Sequence, residues 1–157
     1  MKHKSYYTFL HFKCRNKLKH KCIIIIMNTI IIFDLDDTLV SCKMKIPRQT
    51  YHMLNKFKKL NYIIGIITYN FMVGVIAKET NLHKYTSHIF YKDIDRDILF
   101  ENCVSQIIND YRLVNINKIY YIDDRLDNLQ VIKEKNKNVI TYHCFNMYNL
   151  YKFKYLI

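Results

Sequence analysis

The sequence predicts an α/β protein built on a parallel sheet with helices on both faces, and three observations carry that reading. Residues 23–33, Ile-Ile-Ile-Ile-Met-Asn-Thr-Ile-Ile-Ile-Phe, are too apolar for a half-exposed strand and too few to cross a bilayer. Such a run suits a central strand buried on both faces. Strand-like runs then alternate with segments of helical period along the rest of the chain, the pattern of a three-layer parallel sheet. Finally, Asp34, Asp36 and Asp37 stand where the first run should end. In open α/β sheets that rim is where ligands bind. A buried strand delivering Asp-x-Asp there reads as a catalytic site.

The elements follow in order. Strand one covers about 29–34 and leads into the acidic loop. A helix begins near Pro47, which suits a first helical turn, with Tyr51, Leu54, Phe57 and Leu60 facing inward. Strand two, about 62–67, contains Gly65, a residue tolerated in a strand where another backbone passes close. The next helix presents Phe71, Met72, Val75 and Ile76 and stops near Asn81. Strand three is about 87–91. The helix of about 97–110 takes its period from Ile98, Leu99, Val104, Ile107 and Ile108. Strand four lies at about 118–122, a helix runs through Leu129 and Ile132, and strand five lies at about 138–142. The aromatic and basic tail from Phe145 to Ile157 is expected to pack on the domain.

Composition narrows the function classes. A chain of 157 residues fits one domain, and its 50% apolar content with fourteen tyrosines and nine phenylalanines opposes disorder. The only glycines are Gly65 and Gly74, which excludes a Walker phosphate loop and a dinucleotide fingerprint. Any phosphate must therefore be held by side chains, metal, and helix or loop amides. Cys14, Cys22, Cys42, Cys103 and Cys144 form no CxxC pair, and no secretory signal precedes them, so reduced thiols and an intracellular, cytoplasmic setting are expected. None is spaced with a histidine as a zinc ligand would be. No stretch reads as a membrane span.

Phe33-Asp34-Leu35-Asp36-Asp37-Thr38-Leu39-Val40 resembles motif I of the haloacid dehalogenase (HAD) superfamily of phosphohydrolases. Read alone, Asp-Asp-Thr is also good helix-capping chemistry. Later stretches resemble the family's other motifs, in order. Tyr62-Ile-Ile-Gly-Ile-Ile-Thr68 is similar to motif II, and Lys118-Ile-Tyr-Tyr-Ile-Asp-Asp-Arg-Leu-Asp-Asn128 to motif IV in its DDxxxN form. By itself Asp123-Asp124 would be a solvated turn before a helix.

The resemblance covers about residues 27–142 and implies a Rossmann-like, HAD-like three-layer sheet. It implies that Asp34 is a nucleophile forming an aspartyl-phosphate and that Asp36 is the general acid and later the base. Thr68 and Asn70 would bind the phosphoryl group. Asp34, Asp36, Asp123 and Asp124 would hold Mg²⁺, with Asn128 supporting the loop. The chemistry fits these residue types, because a carboxylate nucleophile splits a difficult hydrolysis into two easier steps. Alternate strand residues share a face, so Asp34 and Asp36 can converge on one group. Mg²⁺ prefers oxygen ligands and bridges carboxylates to phosphate.

The family's motif III lysine is sought at Lys92 and Arg96, ahead of Lys84, which sits before strand three, and Lys118, at the start of strand four. Lys92 follows strand three directly and could neutralise the nucleophile and the transferring phosphoryl group. Arg96 lies where the next helix begins, the other place the family uses, although an arginine there departs from the pattern.

Spacing bears on substrate. Asp34 and Thr68 are 34 positions apart, and Thr68 and Lys92 are 24 apart, so the connecting helices use most of both intervals. The resemblance then implies a protein without a cap domain, similar to small C-terminal-domain phosphatases or the magnesium-dependent phosphatase group. Its expected partner is a phosphorylated substrate, small or macromolecular. Residues 1–26 carry seven of the 25 Lys and Arg and no acid. With Tyr6, Tyr7, Phe9 and Phe12 interleaved, they could form a nucleic-acid arm, which would favour a nucleic-acid 3′-phosphatase. They could also be a targeting peptide, although no small-residue cleavage site follows. The preferred division treats 1–26 as a basic extension and 27–157 as the catalytic domain, starting at Met27. A HAD-fold binding protein without turnover is the non-enzyme alternative.

Overall fold

The computed structural model describes residues 28–86, 88–147 and 150–155. The basic segment 1–26 and the boundary at Met27 lie outside the described residues. The elements are β1 (Asn28–Asp34), α1 (Arg48–Lys59), β2 (Ile63–Thr68), α2 (Val73–Glu79), a short 3₁₀ helix (Leu82–Lys84), β3 (His88–Tyr91), α3 (Arg96–Tyr111), β4 (Ile116–Asp123), α4 (Leu126–Lys135), β5 (Val139–His143) and a 3₁₀ turn (Leu150–Tyr155). Every strand and helix expected from the sequence is present, with bounds displaced by a few residues.

The five strands form one parallel sheet in the order β3-β2-β1-β4-β5. The isoleucine strand is central, and Ile30 to Phe33 are fully buried. The twofold alternation of strand side chains divides the core into two. Ile31, Phe33, Ile64, Ile66, Tyr120 and Ile122 pack with Met53, Leu54 and Phe57 of α1 and Val73, Ile76 and Ala77 of α2. Ile30, Ile32, Ile63, Ile67 and Tyr121 pack with Leu99, Phe100, Cys103 and Ile107 of α3 and Leu129 and Ile132 of α4. Three layers result. Among the described residues, the intervals 34–68 and 68–92 hold α1, α2, the short 3₁₀ helix and their loops, with no inserted domain.

Local packing corrects several expectations. Leu60, expected inward, is exposed, and Phe71, Met72, Val75 and Ile98, the apolar residues read as marking the next two helices, are exposed as well. For α2 the reason is its start: the Asn70 side-chain oxygen accepts from the Met72 amide at 2.9 Å, so Phe71 and Met72 lie in a turn before the helix. For α3 the phase is set by Leu99, Phe100, Cys103 and Ile107, which rotates Ile98 outward. Gly65 is required by side chains rather than by a passing backbone. A β-carbon there would lie 2.6 Å from Ile32 Cδ1 and 2.8 Å from Cys103 Sγ, so the glycine lets α3 settle on β2. Among the described residues of the tail, Met147, Leu150 and Phe153 pack on the domain, Phe153 in edge-to-face contact with Phe57 and Tyr120, while Phe145 and Tyr155 are exposed. Cys42, Cys103 and Cys144 are free thiols, and burial pushes Cys103 up to about 12. Among the described residues, no helix is long and apolar enough to cross a membrane.

Candidate active site

The sheet order reverses at β1: the chain moves outward through β2 and β3, then returns to place β4 on the other side. Such a switch point opens a crevice at the carboxyl ends of the two adjacent strands. The last residues of those strands are Asp34 of β1 and Asp123 of β4. Strand alternation sends both toward the layer of α3 and α4, since Ile32 and Tyr121, two residues earlier, belong to that core. Asp34 is 5% exposed and Asp123 fully buried.

Carboxylate oxygens of Asp34, Asp123 and Asp124 lie within 4.8 Å of one another. Three hard oxygen donors in that space fit a small divalent cation such as Mg²⁺. Without one, the cluster is electrostatically stressed. Burial, and then the charge of Asp123, raises the pKa of Asp34 well above the ordinary carboxylate range, while Arg96 pulls it back. Asp124 is raised by burial and by Asp123. Its Oδ1 accepts a 3.4 Å contact from the Thr38 hydroxyl, and its carbonyl lies 2.8 Å from His143 Nε2.

Asp123 is held on every side. Its Oδ1 accepts from the Arg125 amide at 2.8 Å, and its Oδ2 accepts from Asn128 Nδ2 at 2.9 Å and from the Tyr121 hydroxyl. Burial and the neighbouring Asp123 charge push the Tyr121 pKa well up, so this hydroxyl is a donor. Nothing in the sequence reading marked Tyr121. The available signal was its position two residues before Asp123 in a strand, hence on the same face.

Asp36 is placed apart from the cluster. It is exposed beyond the end of β1, and its Oδ2 accepts from the Thr68 hydroxyl at 3.0 Å and its Oδ1 from Asn70 Nδ2 at 2.8 Å. Of the four carboxylates expected at the cation, the structure brings Asp34, Asp123 and Asp124 together, while each oxygen of Asp36 is turned to a donor at the end of β2. Thr68 and Asn70, expected to face a phosphoryl group, are bonded to Asp36 and to each other, the Asn70 amide donating to Thr68 Oγ1 at 2.9 Å.

The cation beside Asp34 is Arg96. Its Nη2 donates to Asp34 Oδ1 at 3.0 Å and its Nη1 to the Ile67 carbonyl at 3.3 Å, while the Tyr69 ring covers the guanidinium at 4.4 Å. Burial works against the charge, but the neighbouring carboxylates Asp34 and Asp123 favour it, and the Arg96 pKa is raised. Lys92 does not take this place. It is exposed and, among the described residues, makes no hydrogen bond or ion pair. The reason is topological: it follows β3, the edge strand, which β2 separates from β1. Two strand spacings amount to roughly 10 Å. Arg96 instead opens α3 on the inward stripe of Leu99, Phe100, Cys103 and Ile107.

No protein-family model and no curated protein matches the sequence. Solved structures do. A HAD-superfamily hydrolase from Ehrlichia chaffeensis is 14% identical, with a TM-score of 0.50 over 71% of this chain. The chain spans 58% of that protein's length. The core domain of a Streptococcus pneumoniae TIGR4 protein, provisionally described as a phosphoglycolate phosphatase, is 19% identical with a TM-score of 0.51. That match covers 76% of this chain and 90% of the domain. With the sheet order and the acidic rim, these likenesses establish the architecture: the chain has the haloacid dehalogenase fold.

Proposed function

We propose that the protein is a Mg²⁺-dependent phosphomonoester hydrolase of the capless HAD type, acting through an aspartyl-phosphate on Asp34. The observation that carries this reading is the convergence of Asp34, Asp123 and Asp124 at the β1/β4 switch point with the Arg96 guanidinium bonded to Asp34. A group of like charges with two members buried costs stability, and its retention at a strand rim points to function.

Asp34 Oδ1 is engaged by Arg96, and Oδ2 carries no hydrogen bond among the described residues. An oxygen of Asp34 attacks phosphorus, and the bond from phosphorus to the leaving oxygen breaks. Asp36, oriented by Thr68 and Asn70, gives its proton to that leaving oxygen. Asp36 then accepts a proton from the water that attacks the aspartyl-phosphate, which releases phosphate and restores Asp34. Arg96, not Lys92, balances charge developing on the phosphoryl oxygens. Thr68 and Asn70, bonded to Asp36, would supply polar groups to the phosphoryl oxygens. Mg²⁺ held by Asp34, Asp123 and Asp124 would neutralise both the carboxylates and the substrate phosphate.

The test is phosphate release from small phosphomonoesters, phosphopeptides and 3′-phosphorylated oligonucleotides, with Mg²⁺ and with a chelator. Mg²⁺-dependent release that Asp34→Asn abolishes is the expected result. No release from any substrate class, with Mg²⁺ bound, would favour a HAD-fold binding protein.

A further inference from the structure

Tyr121 is a fully buried tyrosine whose hydroxyl is directed at a candidate cation ligand, and the proposed reaction gives it no part. Its ring packs edge-on against Phe100, with centroids 5.4 Å apart, between β4 and α3. An aliphatic side chain would fill that layer without introducing a polar atom, which here must find a partner. The partner it has is Asp123 Oδ2, which also accepts from Asn128.

A carboxylate offers about four lone-pair sites, two on each oxygen. Tyr121 and Asn128 fill both on Oδ2, and the Arg125 amide fills one on Oδ1. One site remains, on Oδ1. Asp123 is thereby limited to ligation through a single oxygen. Mg²⁺ accepts single-oxygen carboxylate ligation and demands compact octahedral geometry, whereas Ca²⁺ takes more ligands and commonly draws both oxygens of a carboxylate.

We propose that Tyr121 is a positioning residue for the cation, which by closing Oδ2 of Asp123 together with Asn128 holds that carboxylate to one oxygen and biases the site toward Mg²⁺ over Ca²⁺. This rests on the cation-binding part of the proposed function and extends it to a residue that touches neither substrate nor metal. Partners of this kind commonly alter metal affinity by about 10–100-fold when removed.

The experiment measures binding of Mg²⁺ alone and Ca²⁺ alone to the full chain, by calorimetry and by the concentration dependence of thermal stabilisation. Tyr121→Phe retains the ring and its packing and removes only the donor. Asn128→Ala opens the same oxygen from the other side. The expected result is that both variants, folded by circular dichroism, bind Mg²⁺ about tenfold more weakly. Both should also show a smaller Mg²⁺-over-Ca²⁺ preference than the unaltered chain. An unchanged preference in either folded variant overturns the proposal. Failure of the unaltered chain to bind Mg²⁺ overturns it too, but that result is visible before any variant is made and strikes the cation reading itself.

Discussion

Arg96 and Asp34 form a buried ion pair across 62 residues of sequence, 3.0 Å between Nη2 and Oδ1, with each side chain 7% exposed. Breaking a buried pair by removing one partner leaves the other charge uncompensated. Under the proposed function the pair would join catalysis to stability, and several outcomes can be stated.

Replacing the proposed nucleophile, Asp34, should separate the two. Asp34→Asn is nearly isosteric, still accepts from Arg96, and removes one charge from the crowded cluster. Turnover should fall by roughly 10³-fold or more. Stability of the metal-free protein at neutral pH should be unchanged or higher, as read by urea unfolding. Retention of full activity would sink the mechanism.

Arg96 and Lys92 should behave oppositely. Arg96→Ala should lower kcat/KM by about 10²–10³-fold and cost about 3 kcal/mol of stability. Lys92→Ala should stay within about twofold in rate and about 0.5 kcal/mol in stability, as for an exposed surface site. Steady-state kinetics and chemical denaturation distinguish them. A severe loss in Lys92→Ala alone would return the role to the lysine.

Metal-free stability should depend on pH through Asp34. Its folded pKa is raised, by burial first and then by Asp123, so the folded state keeps a proton that the unfolded state releases. As pH rises above the ordinary carboxylate range toward the raised value, the contribution of Asp34 to stability falls. In a chelator, the stability difference between Asp34→Asn and the unaltered chain should grow from pH 5 to pH 7.5. Mg²⁺ should diminish that growth. A difference independent of pH would show that Asp34 is not under this stress.

The two glycines should respond in opposite directions. Gly65→Ala would place a methyl 2.6 Å from Ile32 Cδ1 and 2.8 Å from Cys103 Sγ, and should cost about 1–3 kcal/mol through overpacking. Gly74→Ala meets nothing within 4 Å and lies in α2, so it should be neutral or stabilising by up to about 1 kcal/mol. Paired urea melts test both.

The sequence by itself determined the sheet, its central strand and its acidic rim. Strand and helix periods are local properties, and a run such as Ile30-Ile31-Ile32-Phe33 has few environments open to it other than burial on both faces. It also supplied Asp34, Asp123 and Asp124, because residues at strand ends are brought together by any parallel sheet that joins those strands. Tertiary structure alone decided the cation beside Asp34. Lys92 and Arg96 are four positions apart, but one follows an edge strand and the other opens a helix on its core-facing stripe. The inward phase of α3 depended on Cys103 and Ile107 meeting the sheet over Gly65, a contact between elements that no local period encodes. The hold of Thr68 and Asn70 on Asp36 is likewise tertiary, whereas Tyr121 and Asp123 stand two residues apart on one face of a single strand. A hydrogen bond across strands requires strand order and register, which pairing sets and side-chain type does not.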